Sequence, residues 1–156
     1  MRYRQAIAVL ALVGLFVALY LWLHALGYGG AIKCGASGGC EIVQTSQWAT
    51  FLGLPVAFYG VVGYSTMLVV AIVAVRPAAR AEAGWSKLLA LLATIGFGFT
   101  LYLTYLELFV IHAICRWCIG SAVIITLIWV VSLLALRSPA TRTDRAASPL
   151  LPDPRA

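Results

Sequence analysis

Trp117-Cys118-Ile119-Gly120-Ser121-Ala122-Val123-Ile124-Ile125-Thr126-Leu127-Ile128-Trp129-Val130-Val131-Ser132-Leu133-Leu134-Ala135-Leu136 is a run without a single charge, closed at its ends by Arg116 and Arg137. At about 1.5 Å of rise per residue, a helix of this length crosses the ~30 Å hydrocarbon core of a bilayer once. The run lacks the period-two alternation of a barrel strand, so it reads as a helix. Three further stretches read the same way: Gln5 to about Leu26, Leu54 or Pro55 to Val75, and Leu88 to about His112. The expected fold is therefore an all-α integral membrane protein, a four-helix transmembrane bundle.

Composition agrees. The chain is 63% hydrophobic and 10% charged, and its mean hydropathy is +0.98. A soluble domain has about 45–50% apolar and about 25% charged residues. A water-soluble enzyme and a disordered chain are both excluded. The net charge of +6 does not point to nucleic acid, because the basic residues are scattered among apolar runs and form no patch.

The charges instead report topology. Arg2 and Arg4 precede the first span; Arg76, Arg80 and Lys87 separate the second from the third; Arg137, Arg142, Arg145 and Arg155 follow the fourth. The other two connections hold Lys33 and Arg116 as their only Lys or Arg residues. The positive-inside rule then puts both termini in the cytoplasm and the loop from Gly27 to Gly53, with the short turn near His112 to Arg116, outside. Pro55 suits the first turn of the second span. Residues 1–137 form the membrane domain, and 138–156, rich in proline and charge, read as a disordered cytoplasmic tail. The first span has the basic start of a signal peptide, but its apolar run is too long and no small-x-small site precedes Gly27, so it reads as a retained helix.

Cys34, Cys40, Cys115 and Cys118 all fall on the outer side in this topology, where disulfides persist. Cys115-Arg116-Trp117-Cys118 is a C-x-x-C directly before an apolar helix. The helix N-terminus, with its unpaired N–H groups, stabilises a thiolate there, and Arg116 adds a positive charge beside it. A lowered thiol pKa suits a redox-active pair. Cys34 and Cys40 lie in a segment holding six of the fourteen glycines. Such a loop suits a disulfide that swings between two partners. A plain structural bridge and a four-cysteine zinc site are the competing readings. The glycine setting and the wide C-x5-C spacing count against zinc.

These cysteines and their flanks form an ordered constellation. Ser46 follows Cys40; Phe51-Leu52-Gly53-Leu54-Pro55-Val56-Ala57-Phe58-Tyr59-Gly60 enters the second span; Tyr105-Leu106-Glu107-Leu108-Phe109-Val110-Ile111-His112-Ala113-Ile114-Cys115-Arg116-Trp117-Cys118 leads into the fourth. The pattern resembles the vitamin K epoxide reductase family, in its bacterial branch, from about Gln5 to Leu136.

The resemblance implies a bundle around a quinone (ubiquinone or menaquinone), capped by the outer loop. It implies that Cys115 and Cys118 are the active pair and that Cys118 faces the quinone. Cys40 would exchange with Cys115, Cys34 would meet the external partner, and Ser46 would help fix the cap. It further implies a membrane thiol–quinone oxidoreductase of a bacterial plasma membrane that reoxidises a thioredoxin-fold protein and supports disulfide formation. Many bacterial members carry a fused thioredoxin-like domain. This sequence ends in a short tail, so the expected partner is a separate protein outside the membrane. Val56 and Ala122 stand where many members carry Asn and Tyr, which bears on quinone choice and inhibitor sensitivity.

Residues from Glu41 to Phe51 are expected to form the short capping helix. On it, Trp48 and Phe51 either touch the quinone or anchor at the interface; Phe58 is a further candidate for quinone or cap. Ser46 donates either to a backbone group or to the quinone. Glu107 is the one acid within a span and so a functional candidate. It shares a face with Gly96, Thr100 and Thr104, which turns that face inward. His112 lies three residues before Cys115. If the helix continues it can tune the thiol or carry a proton; otherwise it is an interface residue. Two other classes stay open. A disulfide bond formation protein B-like oxidase would place its C-x-x-C in the first outer loop, the reverse of the order here. A non-enzymatic membrane protein with structural disulfides would not cycle with quinone.

Overall fold

The computed structural model describes residues 2–28, 38–76 and 83–137; Cys34 and the tail from 138 onward lie outside the described residues. In chain order the elements are α1 (Arg2–Ala25), α2 (Gly39–Thr45), a 3-10 turn (Gln47–Ala49), β1 (Thr50–Phe51), β2 (Leu54–Pro55), α3 (Val56–Val75), α4 (Ala83–Tyr105), a π-helical turn (Leu106–Ile111) that prolongs α4, and α5 (Arg116–Arg137). Four helices are long and apolar enough to cross a membrane: Tyr3–Ala25, Val56–Val75, Gly84–Ile111 and Arg116–Arg137. The third starts a turn earlier than the charge pattern suggests. Lys87 is exposed near its end, where a long aliphatic stem can carry the ammonium to the headgroups.

The spans are apolar on all sides, because lipid and protein interior make similar demands. Only 28% of α1 and 17% of each other span is buried. Val9, Phe16 and Ile95 point outward with more than 60% of their surface exposed, as a lipid-facing side chain does. With little hydrophobic drive between helices in lipid, close approach of small residues holds such a bundle. The buried core fits: Ala11, Ala18, Ala71, Ala74 and Ala93 alternate with Ile7, Tyr64, Met67, Leu89, Ile125 and Ile128. α1 packs extensively on α3 and α5, and α4 on α5, while α3 meets α4 more thinly. Gly14 marks the tightest crossing, since a Cβ there would collide with the ring of Tyr64.

Arg4 closes one end of the bundle. Its guanidinium donates to the Ala74 carbonyl at the end of α3 (2.6 Å) and to Ser86 Oγ at the start of α4 (3.0 Å). A cation at a helix C-terminus satisfies orphan carbonyls and opposes the dipole. A residue read from sequence as a topology signal thus also ties three helices together.

The cap differs from expectation beyond Thr45. The helix stops there because Ser46 is extended (φ −66°, ψ 155°) and its hydroxyl donates to the Val43 carbonyl (2.8 Å). After the 3-10 turn, Phe51 lies not in a helix but in a two-residue hairpin, with Thr50 opposite Pro55 and Phe51 opposite Leu54. The linking residues Leu52 and Gly53 both have positive φ (50° and 80°), the geometry of a type I′ turn. Pro55 therefore precedes the first residue of α3. The hairpin is tied down by the Tyr59 hydroxyl, which donates to the Phe51 carbonyl at 2.8 Å.

Candidate active site

Cys115 stands immediately before α5, in the N-cap position. Its carbonyl accepts the first helical bond, from Ile119 N (3.0 Å). Its sulfur accepts the N–H of Cys118 at 3.4 Å, as a capping oxygen would. The two-residue spacing of the C-x-x-C is what brings both sulfurs to one helix start. Both are free thiols. The Cys118 thiol, hydrogen-bonded to the Cys115 sulfur, lowers the Cys115 thiol to about 7, assisted by the N–H groups of Cys118 and Trp117 and opposed by burial and the charge of Glu107. The Arg116 side chain, expected to supply the positive charge, is exposed and takes no part. The local donors do the work, because solvent screens an exposed guanidinium.

Cys40 is disulfide-bonded, fully buried, and shares a cluster with Leu21, Val43 and Cys115; Cys118 packs against its edge. The approach depends on Gly39. A Cβ there would meet the Ile114 carbonyl oxygen, so only glycine lets α2 lie against the turn that leads into α5.

Cys118 opens onto a cavity of about 570 Å³ inside the bundle. That size suits a small aromatic ligand. Val43, Ser46 and Trp48 roof it; Val56, Ala57 and Gly60 contribute from α3; Phe99 and Leu103 from α4; Ala122 and Thr126 from α5. Gly96, Thr100, Thr104 and Glu107 all line it, as their shared helical face predicts. Val56 and Ala122, which the resemblance sets against an Asn and a Tyr, are wall residues too, so the wall is hydrocarbon at both positions.

Glu107 is 8% exposed. Its Oε2 accepts the Cys115 N–H at 3.3 Å, and its carboxyl stands beside the Cys118 thiol on the same cavity wall. The π-helical turn puts it there. The Glu107 carbonyl accepts the N–H groups of His112 and Ala113 (3.2 Å), which widens the last turn and ends α4; π-turns recur at functional sites.

The remaining sequence candidates are dispersed. Ser46 reaches the cavity, but its hydroxyl is spent on Val43. Phe51 borders a neighbouring groove with Trp48, Val56, Phe99 and Tyr102. Phe58 does not line the cavity; its ring meets Trp22 (5.5 Å) and Tyr59 (6.0 Å). His112 is exposed and left-handed (φ 54°). Because the helix does not continue to Cys115, His112 does not share the face of that thiol.

Three polar wall residues went unread in the sequence. Gln44 Nε2 lies 4.0 Å from Cys118 Sγ. The Tyr64 hydroxyl bonds the Ser121 carbonyl (3.0 Å) and Oγ (2.9 Å). Ser121 lies one turn beyond Cys118 and Gln44 one turn beyond Cys40, so helical spacing carried a signal for both.

A four-span bundle with a dithiol at a helix start, opening on an apolar cavity, defines a membrane oxidoreductase. The vitamin K epoxide reductase family model matches residues 5–133, and the chain belongs to that family. Its members work in general between thiols and quinones in membranes.

Proposed function

We propose that this protein passes electrons from a thioredoxin-fold dithiol through Cys34–Cys40 and Cys115–Cys118 to a membrane quinone, and so sustains disulfide formation. The observation that carries this reading is the placement of the free pair, with Cys118 on the wall of the cavity and Cys115 buried with disulfide-bonded Cys40. In the proposed cycle Cys34 and Cys40 share the outer disulfide. A partner thiolate attacks Cys34, and the partner leaves as a disulfide with the outer pair reduced. The Cys40 thiolate then attacks Cys115 of the inner disulfide and releases Cys118. Cys34 resolves the Cys40–Cys115 bond, which leaves the inner pair as two thiols, the state described above. The low pKa of Cys115 makes it a good leaving group in that resolution. Two electrons and two protons then pass from the inner thiols to the quinone, and the inner disulfide reforms.

The apolar walls suit a quinone ring, and the lipid-facing spans leave room for an isoprenoid tail. Ubiquinone and menaquinone both fit this description. The proposed setting is a bacterial plasma membrane, with both termini cytoplasmic, the cysteines outside, and residues 1–137 as the membrane unit. The test is quinone-dependent oxidation of a reduced thioredoxin-fold protein by the purified chain. Cys118→Ala should abolish quinone reduction; full activity would sink the mechanism. Cys34→Ala should impair transfer from the protein partner while sparing small dithiols such as dithiothreitol.

A further inference from the structure

We infer that Glu107 is the proton carrier of the quinone step, taking the Cys118 proton and delivering it to a quinone oxygen. The inference rests on the thiol–quinone reading above and assigns a catalytic residue within it.

The geometry leads there. Oxidation of the inner pair breaks two S–H bonds and forms one S–S bond, while the quinone gains two electrons and two protons. The protons must cross an apolar cavity, where thiolate and hydroquinone oxygens are poorly solvated. Glu107 is the one carboxylate buried among the described residues, and it is on the cavity wall. Its Oε2 accepts the Cys115 N–H and its carboxylate stands beside the Cys118 thiol, close enough to act on its ionisation, so it borders one reacting sulfur and braces the residue of the other. The groups facing it are Cys115, just before α5, and Cys118 of α5. From α2, neutral Gln44 reaches the same sulfur. Neighbouring His112 and Arg116 are exposed. No basic side chain among the described residues pairs with it, so its charge is not tied up in a salt bridge.

The step balances as follows. The Glu107 carboxylate takes the proton of Cys118, leaving a thiolate facing the ring and a neutral acid beside it. Two electrons leave the sulfurs as the Cys115–Cys118 bond closes, and Glu107 gives its proton to one quinone oxygen. Cys115, whose thiol ionises at about 7, has released its proton to solvent before the bond closes, and the second quinone oxygen takes a proton from solvent, so two S–H bonds are lost and two O–H bonds form. Glu107 ends as it began.

The experiment uses the full chain in lipid nanodiscs with its inner pair reduced. Single-turnover oxidation by a short-chain quinone is followed by quinone absorbance. The pH titration of thiolate ultraviolet absorbance is recorded separately, without quinone. Glu107→Gln keeps the size and the acceptor oxygen but cannot carry a proton. It should slow turnover about 100-fold or more, in the range of general acid–base catalysis. Its thiolate should nonetheless form at lower pH, because the charge that holds Cys115 up is gone. Glu107→Asp should recover a substantial part of the rate.

A Glu107→Gln rate within about threefold of the unmodified protein overturns the inference. So does a slowed variant whose thiolate titration stays put or moves up, since that marks a positioning role. If Glu107→Gln does not fold, the unmodified protein in heavy water decides: the quinone step should slow, and an unchanged rate overturns the proposal. Failure of the unmodified protein to reduce quinone at all would overturn the thiol–quinone reading and this inference with it, an outcome distinct from a Glu107 variant that works.

Discussion

Replacing Gly39 with alanine should uncouple the two cysteine pairs without harming either. A Cβ at this position would stand 2.5 Å from the Ile114 carbonyl oxygen, against 3.4 Å for an ordinary contact. α2 must therefore withdraw by about 0.9 Å, or the Ile114–Cys115 turn must yield by as much. Alanine is the better helix former by about 1 kcal/mol, so loss of α2 itself is not the expected result. The consequence falls on Cys40, the next residue, which moves off Cys115. Misplacement of reacting atoms by about 1 Å can cost 100-fold in rate, and that is the expected loss for transfer from a reduced thioredoxin-fold protein. In the proposed cycle dithiothreitol reduces the inner pair directly, so quinone reduction driven by it should stay within about threefold, because Cys118 and the cavity are untouched. The two assays run side by side on one preparation. Equal loss in both would show that Gly39 supports the bundle as a whole. Unchanged activity in both would mean that the contact between α2 and the turn does not set the exchange geometry.

Three further outcomes follow from the packing and the thiol chemistry. With its thiol at about 7, Cys115 gains thiolate as pH rises, so dithiol exchange at the inner pair should accelerate through pH 7 and level off above it. Arg116→Ala should leave that profile in place, and an upward shift of a full unit would return the guanidinium to the site. Gly14→Ala should lower thermal stability by about 1–3 kcal/mol through overpacking against Tyr64; adding Tyr64→Leu should recover part of that loss in a double-mutant cycle, and strictly additive losses would refute the contact. Arg4→Met removes a charged donor from the Ala74 carbonyl and should cost about 1.5–3 kcal/mol in thermal unfolding while sparing thiol exchange, a combination read from melting curves and the dithiothreitol assay.

Much of the site was legible because it is written in local spacing. The C-x-x-C before an apolar run places Cys115 at a helix start whatever the remainder of the bundle does. The three- and four-residue steps from Gly96 to Glu107 put those residues on one face of α4. Other features depended on how chain segments end. His112 was tied to Cys115 by a helix that in fact stops at Ile111, where two N–H groups converge on the Glu107 carbonyl. Phe51 left its helix because Ser46 turned its hydroxyl back on Val43 and Leu52-Gly53 formed a tight turn. Such terminations are decided by a few competing hydrogen bonds of about 1 kcal/mol each, a difference too small for periodicity to reveal.

By itself the sequence determined the spans, because hydrocarbon demands about twenty apolar residues in a row and a helix to satisfy their backbone. It also determined that four cysteines are spaced as two pairs, one at a helix start. Only the tertiary structure decided what Cys40, Cys115 and Cys118 face. Cys40 meets Cys115 because Gly39 lacks a Cβ. Cys118 meets the cavity because α5 presents that side to α3 and α4. Glu107 reaches both inner cysteines because its own turn widens. These are contacts between segments far apart in the chain, set by the packing of small residues and by which groups are left to satisfy one another once the helices have met.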